Sequence, residues 1–284
     1  MITMNMKSGE ALLLGAYDYL VLYLGLLWLG FLTLGWTLVA APLYPLLPKH
    51  YAMRWGRYVI MVLFRTYLAS LSMSRRCSFD LTELDTLQGE TSLIIAPNHP
   101  CLLDAVMIIS RLPNVACVMK SELMNNIFLG AGARLARYIR NEPIRKMVVQ
   151  ASEDFETGSH LLLFPEGTRT TRQPINALKG SIALISMQAQ VPVQTVLIET
   201  NSPYLSKGWS LFRKPVMPVR YKITLGKRFD PPENAHRFMA ELEDYFSLAL
   251  KPLLQPAPTQ GSLFPMTTQN EAPPGFNSHG TPLL

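Results

Sequence analysis

Residues 92–104 read SLIIAPNHPCLLD: an apolar run that stops at a proline and then presents an asparagine, a histidine and, five residues further on, an aspartate. The apolar part, Leu93–Pro97, does not alternate with polar residues. That is the pattern of a strand covered on both faces, as in a largely parallel sheet packed between helices. Pro100 disfavours helix at His99, so the stretch turns through a loop into a helix expected over Leu103–Ser110. Similar short runs at Val115–Met119, Leu161–Phe164, Val193–Ile198 and Val219–Leu225 predict further strands. Helical periodicity falls at Arg145–Thr157, Asn176–Gln190 and Ala235–Leu250. Alternation of this kind predicts an α/β fold, a central, mostly parallel-type mixed sheet flanked by helices, over residues 77–251.

Upstream the composition changes. From Tyr19 to Pro48 the chain reads YLVLYLGLLWLGFLTLGWTLVAAPLYPLLP without a charge, long enough to cross a bilayer core of about 30 Å. No basic stretch and small-residue cleavage site mark it as a secretory signal. Glycines at 25, 30 and 35, with Pro42 and Pro45, leave a hairpin within residues 19–47 open beside a single span. Residues 51–74 mix Arg54, Arg57 and Arg65 with apolar side chains, the pattern of an interfacial helix with snorkelling arginines. Residues 1–76 are therefore expected to bind the membrane. If the segment spans, the basic excess after Pro48 places the remainder on the cytoplasmic side of an inner or cytoplasmic membrane. From residue 252 to 284 the chain is rich in Pro, Gln, Thr and Gly and is expected to be a disordered tail.

Hydrophobic residues make up 49% of the 284 and charged residues 16%, so part of the surface is expected to be buried in something other than the protein's own core. The net charge of +6 is concentrated. Lys49 to Arg76 contains six basic residues and no acidic one, and a second cluster, Lys120, Arg134, Arg137, Arg140, Arg145 and Lys146, faces only Glu122 and Glu142. Such charge beside apolar sequence suits anionic lipid or a phosphorylated substrate, and no nucleic-acid-reading motif accompanies it. Cys77, Cys101 and Cys117 form neither a metal pair nor an even disulfide set, which suits a reducing compartment. No metal is expected, since the histidines other than His99 lack ligand spacing.

Two constellations carry chemistry. In Asn98–Asp104, a loop histidine and a carboxylate in the first helical turn can fold onto one another. The imidazole can then remove a proton while the carboxylate fixes its tautomer. In LLLFPEGTR, 161–169, Pro165 ends a strand, Gly167 permits an unusual backbone, and Arg169 offers a planar donor fork suited to phosphate. Each block alone also fits an ordinary structural turn.

Together NHPCLLD (98–104) and FPEGTR (164–169) resemble the glycerolipid or lysophospholipid acyltransferases, the 1-acylglycerol-3-phosphate acyltransferases among them. Two weaker blocks resemble others of that family: Lys120-Ser121-Glu122-Leu123 with Tyr138-Ile139-Arg140, and Val191-Pro192-Val193. The resemblance departs at Asn141, Gln194 and Thr195, and covers roughly residues 80–230. It implies His99 as general base and Asp104 as its orienting partner. It further implies Glu166, Gly167, Thr168 and Arg169 as acceptor-binding residues, and Arg140 and Lys120 as phosphate contacts. The donor would be acyl-CoA or an acyl carrier protein, used as substrate and not as a cofactor. The acceptor would be a lysophospholipid-like alcohol, by default 1-acylglycerol-3-phosphate, and the oxyanion donors backbone N–H groups near Gly167 or Gly180.

Three other readings stand beside this one: transfer to a non-glycerol lipid, thioester hydrolysis with Cys101 as a candidate nucleophile, and a non-catalytic lipid-binding adaptor. An adaptor has no need of a base, so the fates of His99 and Cys101 variants separate the three.

Overall fold

The computed structural model of the chain describes residues 2–210 and 213–252. All but Pro252 of the tail expected from residue 252 lies outside these residues. Two long helices, α1 (Ile2–Leu46) and α2 (Lys49–Met73), precede seven strands: β1 (Cys77–Asp80), β2 (Ile94–Pro97), β3 (Val115–Met119), β4 (Ile139–Arg140), β5 (His160–Leu162), β6 (Val193–Thr200) and β7 (Val219–Phe229). Between and after them lie α3 (Asp104–Ile109), α4 (Ser121–Met124), α5 (Gly130–Leu135), α6 (Ile144–Glu156), α7 (Ser181–Ala189) and α8 (Ala235–Leu250).

The strands form one sheet in the order β1-β7-β6-β2-β5-β3-β4. β6, β2, β5, β3 and β4 run parallel, and β7 returns antiparallel to β6 with β1 parallel to it. The expected mixed sheet is therefore mostly parallel, flanked by helices. Ile94, Ile95, Leu161 and Leu162 have no exposed surface, which explains why these strands read as continuous apolar runs.

Two strands were not anticipated. β1 is short and follows Arg75-Arg76, and β4 has only two residues, too few for any periodicity. The helix expected from Asn176 begins at Ser181 instead. Residues 176–179 are held out of the helix because the Asn176 N–H donates to Glu166 (3.0 Å) and the Lys179 N–H to the Pro165 carbonyl (2.7 Å).

The hairpin left open within residues 19–47 does not form. α1 continues through Pro42 and Pro45, which lie close to its end, and the chain turns only at Leu47-Pro48, after which α2 begins. One face of α1 is packed. Asp18, Leu22, Gly25, Leu29, Trp36 and Ala40 recur at helical spacing and meet the rest of the protein. Asp18 pairs with Arg76 and with Lys214 (3.1 Å), and the Thr37 hydroxyl donates to the Phe128 carbonyl at 2.8 Å. The opposite face, Leu20, Leu24, Leu27, Phe31 and Leu38, is exposed.

Helix α2 is not simply an interfacial helix with its arginines at the water. Arg57 is 1% exposed and turned inward. Its guanidinium donates to Asp154 (2.8 Å), Ser159 (2.7 Å), Asn114 (3.0 Å) and the Ala136 carbonyl (3.0 Å). The adjacent Gly56 admits the close approach: a Cβ there would lie 2.8 Å from the Ala136 nitrogen. Gly56→Ala is expected to push α2 off α5 and cost about 1–3 kcal/mol of unfolding free energy, the scale of overpacking a filled core. Thermal unfolding in detergent measures it.

Candidate active site

Strands β2 and β5 are neighbours and parallel, so the loops leaving their carboxyl ends emerge side by side. Ligand sites of open α/β sheets form at such places. Asn98 closes β2 by clamping β6: its side chain donates to the Ile198 carbonyl (3.0 Å) and accepts from the Ile198 N–H (2.7 Å). The next residue is thereby set at the carboxyl end of β2. The His99 Nδ1 lies 2.7 Å from Asp104 Oδ2, and the aspartate is completely buried in the first turn of α3. A carboxylate at that position makes Nδ1 the protonated nitrogen and leaves the Nε2 lone pair free. Nε2 makes no hydrogen bond among the described residues, and the ring retains 17% side-chain exposure. Phe164 stacks on the other side, with ring centroids 3.9 Å apart.

Asp104 holds more than the histidine. Its oxygens accept the Cys101 N–H (2.8 Å) and the Cys101 thiol (2.9 Å). Burial pushes the Asp104 carboxyl above the usual carboxylate range, while the donors from His99 and Cys101 moderate the rise. Cys101 is 1% exposed, and burial together with the neighbouring carboxylate drives its thiol well up. A thiol so held is a hydrogen-bond donor, not a thiolate nucleophile. Cys101→Ala is expected to keep most turnover, falling by less than about tenfold, the scale of one weak hydrogen bond. A steady-state transfer assay that found no activity would restore the nucleophile.

Glu166 departs from its expected role. The residue is 1% exposed, and its oxygens accept the His99 N–H (2.9 Å), the Thr170 hydroxyl (2.7 Å) and the Asn176 N–H (3.0 Å). With its oxygens engaged by the protein, it braces the His99 loop against its own turn and does not face an acceptor. Burial raises its pKa and these donors moderate the rise. The Thr170 N–H adds a backbone tie to the His99 carbonyl at 2.7 Å. Gly167 has φ +66°, a conformation that glycine adopts without strain, and its N–H is engaged by the Phe164 carbonyl at 3.0 Å. It is therefore not available as an oxyanion donor. The N–H groups of Thr168 and Arg169 make no hydrogen bond among the described residues.

Arg169 Nη1 donates to the carbonyls of Leu205 (2.9 Å) and Ser206 (3.0 Å), which ties their loop to the turn after β5. Its Nε and Nη2 have no partner among the described residues, so half of the fork is available to an anion.

Lys120 and Arg140 stand further along the sheet. They leave β3 and β4, two and three strands from β2, or roughly 10 and 14 Å along the sheet at the usual strand spacing. Sequence reasoning missed Phe164 as a stacking partner, Thr170 and Asn176 as braces, and the Leu205–Ser206 carbonyls. Only Phe164 had a signal, through its place in the FPEGTR block.

Sheet, loop pair and histidine–carboxylate couple define an α/β protein with its candidate site at the carboxyl ends of β2 and β5. Residues 78–199 match the family model described as Acyltransferase. Among solved structures the chain is similar to the 1-acyl-sn-glycerophosphate (LPA) acyltransferase PlsC from Thermotoga maritima. The likeness has a TM-score of 0.59 at 18% identity, covering 87% of this chain and 97% of that one. At this identity it establishes a shared fold. No curated protein sequence matches.

Proposed function

We propose that the protein moves a fatty acyl group from an acyl-CoA or acyl carrier protein thioester to the hydroxyl of a lysophospholipid-like acceptor, by default 1-acylglycerol-3-phosphate. The observation that carries this reading is His99, with Nδ1 held by Asp104 and Nε2 unpartnered among the described residues at the carboxyl end of β2. Nε2 takes the proton of the acceptor hydroxyl as its oxygen attacks the thioester carbonyl. The carbonyl electrons move to oxygen, where the N–H groups of Thr168 and Arg169, without partners among the described residues, would stabilise them. Collapse breaks the C–S bond, and the departing sulfur recovers the proton from the imidazolium. Asp104 stabilises that imidazolium while it exists.

The acceptor phosphate goes to the free side of Arg169. Arg169→Lys keeps the charge but loses the planar fork. The acceptor KM is expected to rise roughly tenfold, with kcat less affected, on the scale of a charge-assisted hydrogen bond. Initial rates over acceptor concentration read this split.

We place α1 in the plane of the membrane. Its packed face runs from Asp18 to Ala40, about 33 Å at 1.5 Å per residue, which is the full thickness of a bilayer core. A helix carrying the domain along that length cannot stand upright in the lipid, whereas its opposite apolar stripe can sink into one leaflet. On α2, Tyr51, Trp55, Tyr58 and Val62 form a second exposed stripe. The acceptor alcohol would then meet His99 at the leaflet surface.

Purified protein, labelled acyl thioester and a panel of lyso-lipids, with products identified by mass, test the reading. Acylated lysophosphatidate supports it. Equal transfer to water and to every acceptor would make the protein a thioester hydrolase.

A further inference from the structure

Away from His99, beyond β4, lies a cleft of about 310 Å³ walled by Arg134, Arg137 and Arg140, by Tyr138, and by Tyr44 near the end of α1. Its charge is strongly one-sided. Of the two carboxylates on its wall, Asp154 is engaged by the buried Arg57, and Glu142 pairs with Lys146 at 3.1 Å and more loosely with Arg140 at 3.7 Å. Arg134 uses Nη1 on the Met124 carbonyl (2.7 Å), and Arg137 has a loose, exposed partner in Glu153 (3.5 Å). The Tyr138 hydroxyl is buried without a hydrogen-bond partner among the described residues.

Arg137 carries a further sign. It follows the end of α5 with φ +52°, a left-handed position that glycine ordinarily fills. A guanidinium stands there although the backbone favours its absence. Such local strain concentrates at binding sites.

We propose that this cleft is a second phosphate site, which takes the head group of an anionic phospholipid from the leaflet in which α1 lies. Three guanidiniums offer the charge and the planar donors that a phosphate diester accepts. With α1 in the membrane plane, the reading on which this assignment rests, Tyr44, on the apolar helix and 52% exposed, would set the mouth at the depth where lipid head groups lie. The site stands outside the His99 reaction, and its test reads binding alone, so its failure leaves the transfer reading untouched.

The test uses the full chain in a neutral maltoside detergent, titrated with dihexanoyl-phosphatidylglycerol, with dihexanoyl-phosphatidylcholine and with 3′,5′-ADP while thermal unfolding is followed. A bound ligand raises the unfolding temperature saturably. Phosphatidylglycerol is expected to raise it at lower concentration than phosphatidylcholine. Arg137→Gly, whose backbone suits the position, is expected to unfold no earlier than wild type and to bind phosphatidylglycerol roughly tenfold more weakly. No saturable shift, or an undiminished one in Arg137→Gly, overturns the site. A shift with 3′,5′-ADP and none with lipid overturns the lipid assignment in favour of the donor's nucleotide phosphates.

Discussion

His99→Ala loses acyl transfer by roughly a hundred- to ten-thousandfold, the contribution of a positioned general base, while its association with membranes stays at the wild-type level. That range corresponds to about 3–5 kcal/mol of transition-state stabilisation. The separation follows from the architecture. His99 sits in the loop after β2, whereas the exposed apolar stripes belong to α1 and α2. Removing the imidazole also leaves the Asp104 carboxylate with its two Cys101 donors, so the loop keeps its anchor. Vesicle flotation measures the first property and product formation the second. An unchanged turnover would take the base away from His99 and leave the acceptor hydroxyl to be deprotonated by another group.

Arg57→Ala is the substitution with the largest expected effect on stability. Burial lowers the Arg57 pKa and raises that of Asp154, so each ion is costly by itself. Four hydrogen bonds to Asp154, Ser159, Asn114 and the Ala136 carbonyl offset that cost. Truncating the arginine leaves Asp154 buried without its counter-ion. That costs about 3–5 kcal/mol, or roughly 10 °C in Tm for a domain of this size. Replacing both partners, as Arg57→Met with Asp154→Leu, is expected to recover much of the loss because no orphaned charge remains. A double variant no more stable than Arg57→Ala alone would mean that the arginine acts through its packing.

What the sequence made legible were features whose cause is local. The continuous apolar runs of β2 and β5 require covering on both faces, and Pro100 and Pro165 fix where the loops begin. The His99–Asp104 pairing was readable because a histidine before the helix and a carboxylate in its first turn have few other ways to meet. The features that stayed hidden depend on distant partners. Arg57 resembles a snorkelling residue until Asn114, Asp154 and Ser159, each more than fifty positions away, are seen around it. Glu166 resembles an acceptor ligand until the His99 and Asn176 N–H groups are found on its oxygens. The same contact shortens the helix expected from Asn176. The choice between a hairpin and a continuous helix within residues 19–47 stayed open for a related reason, since α1 gains its packed face only from neighbours that no local window contains.

Rapid quenching of wild-type protein with an acyl thioester, first without and then with the lyso-acceptor, reads the central step most directly. If the alcohol, deprotonated by the imidazole, attacks the thioester itself, thiol release waits for acceptor and then matches product one to one. A burst of thiol equal to the enzyme present, with the acyl chain left on the protein before any acceptor is added, would contradict the mechanism.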